Sequence, residues 1–121
     1  MGISDNFKRG TIELLALTLL QEKEMYGYEL IQELKQRSNN RYHLQEATLY
    51  PSLYRLLERE LITDRREQTG KRRFRIYYSI TEKGKDYLSV LRTEYLNFCL
   101  GVLSVLDIKT LEEMKNESKL E

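Results

Sequence analysis

Residues 46–80 decide the fold of this 121-residue chain, and they read EATLYPSLYRLLERELITDRREQTGKRRFRIYYSI. In the first third of this stretch the leucines recur at the i, i+4, i+7, i+8 spacing of an amphipathic helix, at Leu49, Leu53, Leu56 and Leu57. Pro51 has no amide hydrogen, and its ring is tolerated only in the first turn of a helix. We therefore expect the helix to begin between Glu46 and Thr48.

The last third of the stretch changes to the two-residue period of a β-strand. Apolar residues alternate with polar or basic ones, Phe74, Ile76, Tyr78 and Ile80 on one face and Arg73, Arg75, Tyr77 and Ser79 on the other. Residues 62–67 supply a partner strand, and residues 68–71, QTGK, supply a turn, so the two strands form a β-hairpin. Residues 65–75 contain six Arg or Lys and one Glu, a net charge of +5, which makes the tip and one face of the hairpin basic.

Two helical patterns precede this stretch. Residues 11–20 are apolar around most of a helix circumference, as expected for a helix buried on several sides. Residues 27–36 carry a narrower apolar stripe, which indicates a half-buried helix that ends near Ser38-Asn39-Asn40. Residues 12–34 have a net charge of −4, so the charge of the chain, +1 overall, is polarised. The short segment Arg41 to Leu44 is a candidate for a third strand at the edge of the sheet.

A long helical pattern follows the hairpin, and Thr81 is a suitable N-cap for it. Apolar residues repeat at the coiled-coil spacing, at Leu88, Leu91, Tyr95, Phe98, Val102 and Val105. A second apolar row, Leu96, Leu100, Leu103 and Leu106, runs beside the first. One row can pack on the chain's own domain, but the other requires a partner, because an exposed stripe of this size is a large apolar patch. The sequence therefore predicts a homodimer, with a domain at residues 1–81 and a dimerisation helix with a polar tail at residues 82–121.

Three helices followed by a basic hairpin form a winged helix-turn-helix, so we predict a mainly α fold with a small β-hairpin and a long C-terminal dimerisation helix. In such a fold the third helix enters the major groove of double-stranded DNA, and the hairpin, called the wing, reaches the phosphates or the minor groove. At 100° per residue, Thr48, Ser52, Arg55 and Arg59 share one flank of the third helix, and Arg55 suits a bidentate contact to guanine. The wing supplies sequence-independent affinity through Lys71, Arg72, Arg73 and Arg75.

Two functions are compatible with this arrangement. A homodimeric transcription regulator binds an inverted repeat in its DNA operator, because the two-fold axis of the protein sets the spacing of the half-sites. Winged helices also serve as protein-interaction modules. An adaptor without DNA specificity, whose basic hairpin docks an acidic partner, is therefore the alternative.

The sequence resembles the PadR family of bacterial transcription regulators over residues 9–91. The resemblance is carried by Arg9-Gly10, residues 26–31 (YGYELI), residues 47–51 (ATLYP), Arg55-Leu56, Leu61-Ile62, residues 73–78 (RFRIYY), Thr81 and Gly84. It implies a dimeric winged-helix regulator of the small subclass, usually a repressor. It also assigns Tyr50 and Pro51 to the recognition helix, with Tyr50 among the residues that bind DNA.

Two positions depart from the family's pattern. Glu60 stands where the family usually has the glycine that ends the third helix in a left-handed turn. A side chain at such a position is sterically costly, so the turn into the wing is a place where this chain can differ from the family. Phe74 and Ile76 replace the usual proline and lysine, which makes this strand more apolar and puts its phosphate contacts in question. Arg72 and Arg73 are the candidates to compensate.

Some small PadR-like proteins bind flat aromatic compounds between subunits, which suggests a planar aromatic effector here. Tyr95 and Phe98, with Cys99 beside them, lie at the centre of the predicted dimer seam. Phe7, Leu14 and Thr18 are candidates to complete such a cavity. The alternative is ordinary core packing, which is the more common role of aromatic residues at helical spacing.

Composition argues against other classes of protein. One Cys and one His can form neither an internal disulfide nor a zinc site, and the lone His43 has no partners in sequence for a catalytic triad. No glycine-rich nucleotide-binding motif occurs, so we expect no enzyme activity, no metal and no cofactor. The longest apolar stretches fall short of the roughly 18 residues that a membrane helix needs, and no secretory signal is recognisable, so we expect a cytoplasmic protein.

Overall fold

The computed structural model describes the backbone of residues 3–119 and the side chains of residues 6–119. Within these residues the chain forms six helices and three strands, and the predicted fold class is confirmed. The elements are α1 (Ile3–Lys8), α2 (Ile12–Leu20), β1 (Met25–Tyr26), α3 (Gly27–Arg37), α4 (Glu46–Glu58), β2 (Ile62–Gln68), β3 (Phe74–Ile80), α5 (Glu82–Val105) and α6 (Leu111–Glu117). Helix α4 is the predicted third helix of the winged fold, and β2 with β3 is the predicted wing.

Helix α2 lies at the centre of the core, as its apolar circumference predicts. Its residues Ala16 and Leu17 are fully buried, and α2 contacts α3, α4 and β3. The leucine stripe of α4 packs into the same core, with Leu49, Leu53 and Leu56 at most 1% exposed. Each buried leucine stabilises the fold by about 1.5–3 kcal/mol relative to exposure. This packing fixes which face of α4 remains open to solvent.

The three strands form one antiparallel sheet in the order β1-β3-β2. Within the wing, Ile62 pairs with Ile80 and Gln68 with Phe74. The third strand is Met25–Tyr26, so the prediction that Arg41 to Leu44 supplies it is wrong. A strand of two residues is too short to show the alternation by which strands are predicted.

The segment from Arg41 to Leu44 is instead an irregular connection held by side chains. The hydroxyl groups of Tyr42 and Thr11 are 2.8 Å apart and share a hydrogen bond, and the Tyr42 amide donates to the Ser38 hydroxyl oxygen at 2.8 Å. Leu44 is 5% exposed. The backbone of this segment is therefore committed to the α3–α4 turn rather than to the sheet.

The turn from α4 into the wing keeps a left-handed residue although that residue is glutamate. Glu60 has φ of 61°, and the amides of Glu60 and Leu61 donate to the carbonyl oxygens of Leu57 and Leu56, both at 3.0 Å. This double hydrogen bond is the Schellman closure of a helix. The turn is thus retained, and the left-handed side chain costs roughly 1 kcal/mol.

Thr81 joins this turn to the start of α5. Its hydroxyl donates to the Glu60 carbonyl oxygen at 2.8 Å and accepts from the Gly84 amide at 2.9 Å, which confirms Thr81 as the N-cap. A Cβ atom at Gly84 would overlap the Leu61 carbonyl oxygen. Only glycine therefore allows α5 to approach the α4–β2 turn this closely.

Helix α3 ends where the sequence predicts, at the two asparagines. Asn39 and Asn40 have φ of 53° and 64°, and the Asn40 amide closes the helix on the Lys35 carbonyl oxygen at 2.9 Å. Asparagine tolerates this region of φ better than most residues.

The chain divides into two compact units, one ending at Ser89 and the other beginning at Val90. The first contains the winged helix and the first turns of α5; the second contains the remainder of α5 and α6. Leu88 belongs to the first unit and is 3% exposed, so its assignment to a dimer seam is wrong. The first heptad position is used for packing inside the unit, and spacing alone cannot distinguish the two uses. None of the described helices combines the length and apolar character needed to cross a bilayer.

Candidate nucleic-acid interface

The exposed face of α4 is set by the burial of its leucine stripe. Opposite that stripe, Ala47, Pro51 and Tyr54 form an exposed ridge, and Tyr54 is 65% exposed. Thr48 and Arg55 lie exposed on one flank of the ridge. The sequence prediction of DNA contacts did not include Tyr54, although its place half a turn away from Leu49 and Leu56 was a usable signal.

Ser52 does not lie on the exposed flank as predicted. It is 2% exposed, because it follows Leu49 by three residues and precedes Leu56 by four and so shares their buried face. Its hydroxyl oxygen accepts a hydrogen bond of 3.0 Å from Nη2 of Arg55. The structure therefore corrects the role of Ser52, which positions the Arg55 guanidinium and is not itself available to DNA.

Arg59, also predicted on the DNA-binding flank, caps the far end of α4. Its guanidinium lies 3.4 Å from the Glu13 carboxylate of α2 and 4.6 Å from the centre of the Tyr87 ring of α5. Thr48 and Arg59 are eleven residues apart, about 16 Å along the helix axis. Arg59 thus joins three helices inside the winged-helix unit, a contact that the sequence did not reveal.

Tyr50 joins the recognition helix to α3. A Cβ atom at Gly27 would overlap the Tyr50 hydroxyl and lie 2.8 Å from Cζ of its ring, so glycine leaves the space into which Tyr50 packs. Partial burial of the ring raises the pKa of the Tyr50 phenol. The residue as a whole is 42% exposed. The exposed part of the ring lies on the flank of α4 opposite to Thr48.

The tip of the wing carries cations that are not neutralised within the unit. Lys71, Arg72 and Arg73 are exposed on a loop that the Thr69 amide closes on the Arg73 carbonyl oxygen at 2.9 Å. Across residues 6–119 no salt bridge reaches these three side chains or Arg75. Arg75 lies 4.4 Å from the centre of the Tyr26 ring. The tip therefore presents positive charge to solvent.

The base of the wing differs, because Arg65 is neutralised there by two carboxylates. Its Nε donates to Glu24 Oε2 at 3.0 Å and its Nη1 to Glu67 Oε1 at 3.1 Å. This pairing lowers the pKa of Glu24. Arg65 also lies 4.6 Å from the centre of the Tyr77 ring, which packs edge to face on Tyr26. The net charge of +5 read from the sequence is consequently concentrated at the tip.

The residues predicted to line an effector cavity lie in both compact units. In the first unit, Phe7 is 73% exposed, Leu14 is buried in the core, and the Thr18 hydroxyl donates to the Leu14 carbonyl oxygen at 2.7 Å. In the second, Tyr95 and Cys99 are half-buried and Phe98 is 69% exposed. Leu14 therefore packs in the core of its own unit, and Phe7 and Phe98 are the most exposed aromatic groups of the set.

A three-helix core with an exposed recognition helix and a basic wing defines the winged-helix class of DNA-binding domain. Residues 16–90 match the transcriptional regulator PadR-like family, and the chain belongs to this family. It is a transcriptional regulator, and regulators of this family bind DNA.

Relatives and solved structures agree with this assignment. The chain is 41% identical over 87 residues to uncharacterised protein X of Lysinibacillus sphaericus, a match that covers 72% of this chain and 80% of the relative. It is 32% identical over 88 residues to the transcriptional regulator YqjI of Escherichia coli, covering 73% of this chain but 41% of that protein, so it spans less than half of YqjI. The crystal structure of a PadR family transcriptional regulator from Eggerthella lenta superposes with a TM-score of 0.75 at 28% identity, over 88% of this chain and 91% of that one.

Proposed function

We propose that the protein is a homodimeric repressor that binds an inverted repeat in double-stranded DNA and is released by a small-molecule effector. In each subunit α4 lies in the major groove, where Arg55 contacts a base and Thr48 a base or a phosphate. The wing tip, with Lys71, Arg72 and Arg73, contacts phosphates on one side of the groove.

The observation that carries this proposal is the contrast between Arg55 and Arg65. Arg55 is exposed and held through an Nη2 hydrogen bond to Ser52, which uses one guanidinium hydrogen and leaves the remaining N–H groups to donate to the O6 and N7 atoms of guanine. Arg65 is committed to Glu24 and Glu67. A held but unneutralised guanidinium on an exposed helix is the arrangement that base recognition requires.

The exposed apolar residues of α5 support the homodimer. Phe98, Leu100 and Val105 are 69%, 64% and 88% exposed, and Leu96, Val102 and Leu106 are also exposed. Together, along α5 and the residue that follows it, these side chains expose apolar surface that water disfavours. When the same helix of a second subunit packs against it, the apolar surfaces of both subunits are covered, and the pair has the two-fold symmetry that an inverted repeat requires.

The effector part of the proposal rests on the aromatic residues of α5. Phe98 and Tyr95 are three residues apart and so lie on the same side of the helix, and the phenyl ring of Phe98 is largely exposed. At a dimer seam these rings offer stacking surfaces for a planar aromatic compound. If Tyr95→Ala and Phe98→Ala leave the affinity for every compound found in a ligand screen unchanged, the site is not at this seam.

Fluorescence anisotropy with duplexes from the region upstream of the coding sequence tests the function. We expect one duplex to bind in preference to a scrambled duplex of the same composition, with affinity that falls steeply as salt rises. Equal affinity for both duplexes would contradict sequence-specific binding. Capture of a protein partner from nuclease-treated extract, lost when the charges of the wing tip are removed, would instead favour the adaptor.

A further inference from the structure

A cleft of about 650 Å³ lies on the flank of α4 that carries Thr48. The α1–α2 turn contributes Lys8 and Arg9 to its wall, α3 contributes Lys35, and the α3–α4 connection contributes His43 and Gln45. None of the residues that line the cleft is acidic, although the chain contains 19 Asp and Glu residues. The side chains that line the cleft are therefore basic or neutral.

Some cations of the winged-helix unit are paired with carboxylates, and two cations of the cleft are not. Lys23, Arg37, Arg59, Arg65 and Lys85 each lie within 4 Å of a carboxylate. In the part of the chain with described side chains, Arg9 and Lys35 form no such ion pair. Two cations that line one cleft, and that no described carboxylate neutralises, favour an anion from outside.

Hydrogen bonds hold the walls of the cleft in place. The Lys8 carbonyl oxygen accepts from the Thr11 amide at 2.9 Å and from the Thr11 hydroxyl at 3.0 Å, and that hydroxyl also contacts the Tyr42 hydroxyl at 2.8 Å. Nε2 of His43 donates to the Asn40 carbonyl oxygen at 2.7 Å. These bonds tie the α1–α2 turn to the α3–α4 connection, so the site requires little reorganisation when an anion binds.

The cleft and the wing lie on opposite flanks of the recognition helix. Thr48 lines the cleft, whereas Tyr50, two residues and about 200° further round α4, packs over Gly27, the residue that follows β1. A helix in the major groove is bounded by two phosphate backbones, one on each flank. With α4 placed in the major groove as proposed, the wing tip lies toward one of these backbones and the cleft toward the other.

We propose that this cleft is a phosphate-binding site, with Arg9 and Lys35 as its charged ligands and Thr48 as a hydroxyl donor. The phosphate is a phosphodiester of the DNA backbone on the side of α4 away from the wing, and this assignment rests on the proposed function. Contacts of this kind fix the register of the recognition helix without reading sequence. The same chemistry also suits a free phosphate or a phosphorylated small molecule, which the test separates from DNA.

The test compares the double variant Arg9→Gln/Lys35→Gln with the control Arg41→Gln/Lys83→Gln. The control removes the same charge from two exposed side chains that do not line the cleft. Thermal unfolding first establishes that both variants fold. In the DNA arm, anisotropy is measured over a series of salt concentrations, and the cleft variant is expected to reduce the slope of log K against log salt by about 1 per subunit, more than the control does.

The phosphate arm does not depend on DNA. Inorganic phosphate is titrated at constant ionic strength, and the backbone amide signals of His43 and Thr48 are followed by NMR. We expect saturable shifts in the wild type and the control and none in the cleft variant. Loss of phosphate binding with an unchanged DNA slope would support the site and assign it to free phosphate.

The outcomes separate this inference from the proposed function. If the cleft variant matches the control in both arms, the cleft is not a phosphate site. If neither the wild type nor the control binds DNA with sequence preference, the proposed function fails, and the phosphate titration alone still decides the cleft.

Discussion

Nη2 of Arg55 donates a hydrogen bond of 3.0 Å to the hydroxyl of Ser52, a residue that is only 2% exposed. A buried serine thus sets the direction of an exposed guanidinium on the recognition helix. Because an arginine side chain loses considerable rotamer freedom when it binds, holding it beforehand strengthens the contacts that it makes.

Removing this hydroxyl should weaken recognition of the operator with little effect on folding. Ser52→Ala is expected to lower affinity for the preferred duplex several-fold and leave affinity for a scrambled duplex unchanged, while unfolding free energy changes by less than about 1 kcal/mol. Arg55→Ala should cost about 1 to 3 kcal/mol at one base pair. Anisotropy with both duplexes measures this, and an equal loss on both would contradict a positioning role for Ser52.

The two arginines of the wing should respond differently to truncation. Arg72→Ala removes an unneutralised cation and is expected to weaken binding to all duplexes alike, with the salt slope reduced by about 1. Arg65→Ala removes a guanidinium already paired with Glu24 and Glu67, so its effect on the slope should be smaller. Equal effects on the slope would show that binding depends on the formal charge of each arginine and not on whether a carboxylate of the protein pairs with it.

Glu60 is expected to be a site of easy stabilisation. Glu60→Gly relieves the left-handed conformation and should raise the free energy of unfolding by about 1 kcal/mol, because glycine adopts φ of 61° without steric cost. Glu58→Gly, two residues earlier at the last residue of α4, should lower it instead, because the backbone there is helical rather than left-handed. Denaturant titration of both variants measures the difference, and a destabilised Glu60→Gly would mean that the side chain makes a compensating contact.

Gly84 should tolerate no side chain. Gly84→Ala places a methyl group against the Leu61 carbonyl oxygen and should lower the free energy of unfolding by about 3 kcal/mol as α5 moves away. Gly10→Ala is the matched control, since a Cβ atom there has no neighbour within 4 Å. Similar stability of the two variants in thermal unfolding would argue against the close approach of α5 to the α4–β2 turn.

Much of the fold follows from local patterns in the sequence. The leucine spacing of α4, the two-residue alternation of β3, the Asn39-Asn40 helix end and the Thr81 cap each appear where a short-range physical rule predicts them. In each of these cases the signal lies within a few neighbouring residues.

The details that escaped prediction depend on tertiary contacts. The pairing of Arg65 with Glu24 joins residues 41 positions apart, and no local pattern indicates it. The two residues of β1 are too few to alternate. The burial of Ser52 could not be predicted because helical spacing does not show how wide the buried face is. The burial of Leu88 could not be predicted because spacing does not show which of two apolar faces packs within the chain.

Operator binding as proposed requires two subunits that hold two recognition helices at a separation matched to DNA. Sedimentation equilibrium of the protein alone, and then with a duplex containing the preferred inverted repeat, tests this most directly. We predict twice the subunit mass without DNA and one dimer per duplex with it, and Phe98→Glu, which places a charge on the exposed apolar face of α5, should shift the mass toward a single subunit. A single-subunit mass for the wild type at working concentration, unchanged when the duplex is added, would contradict it.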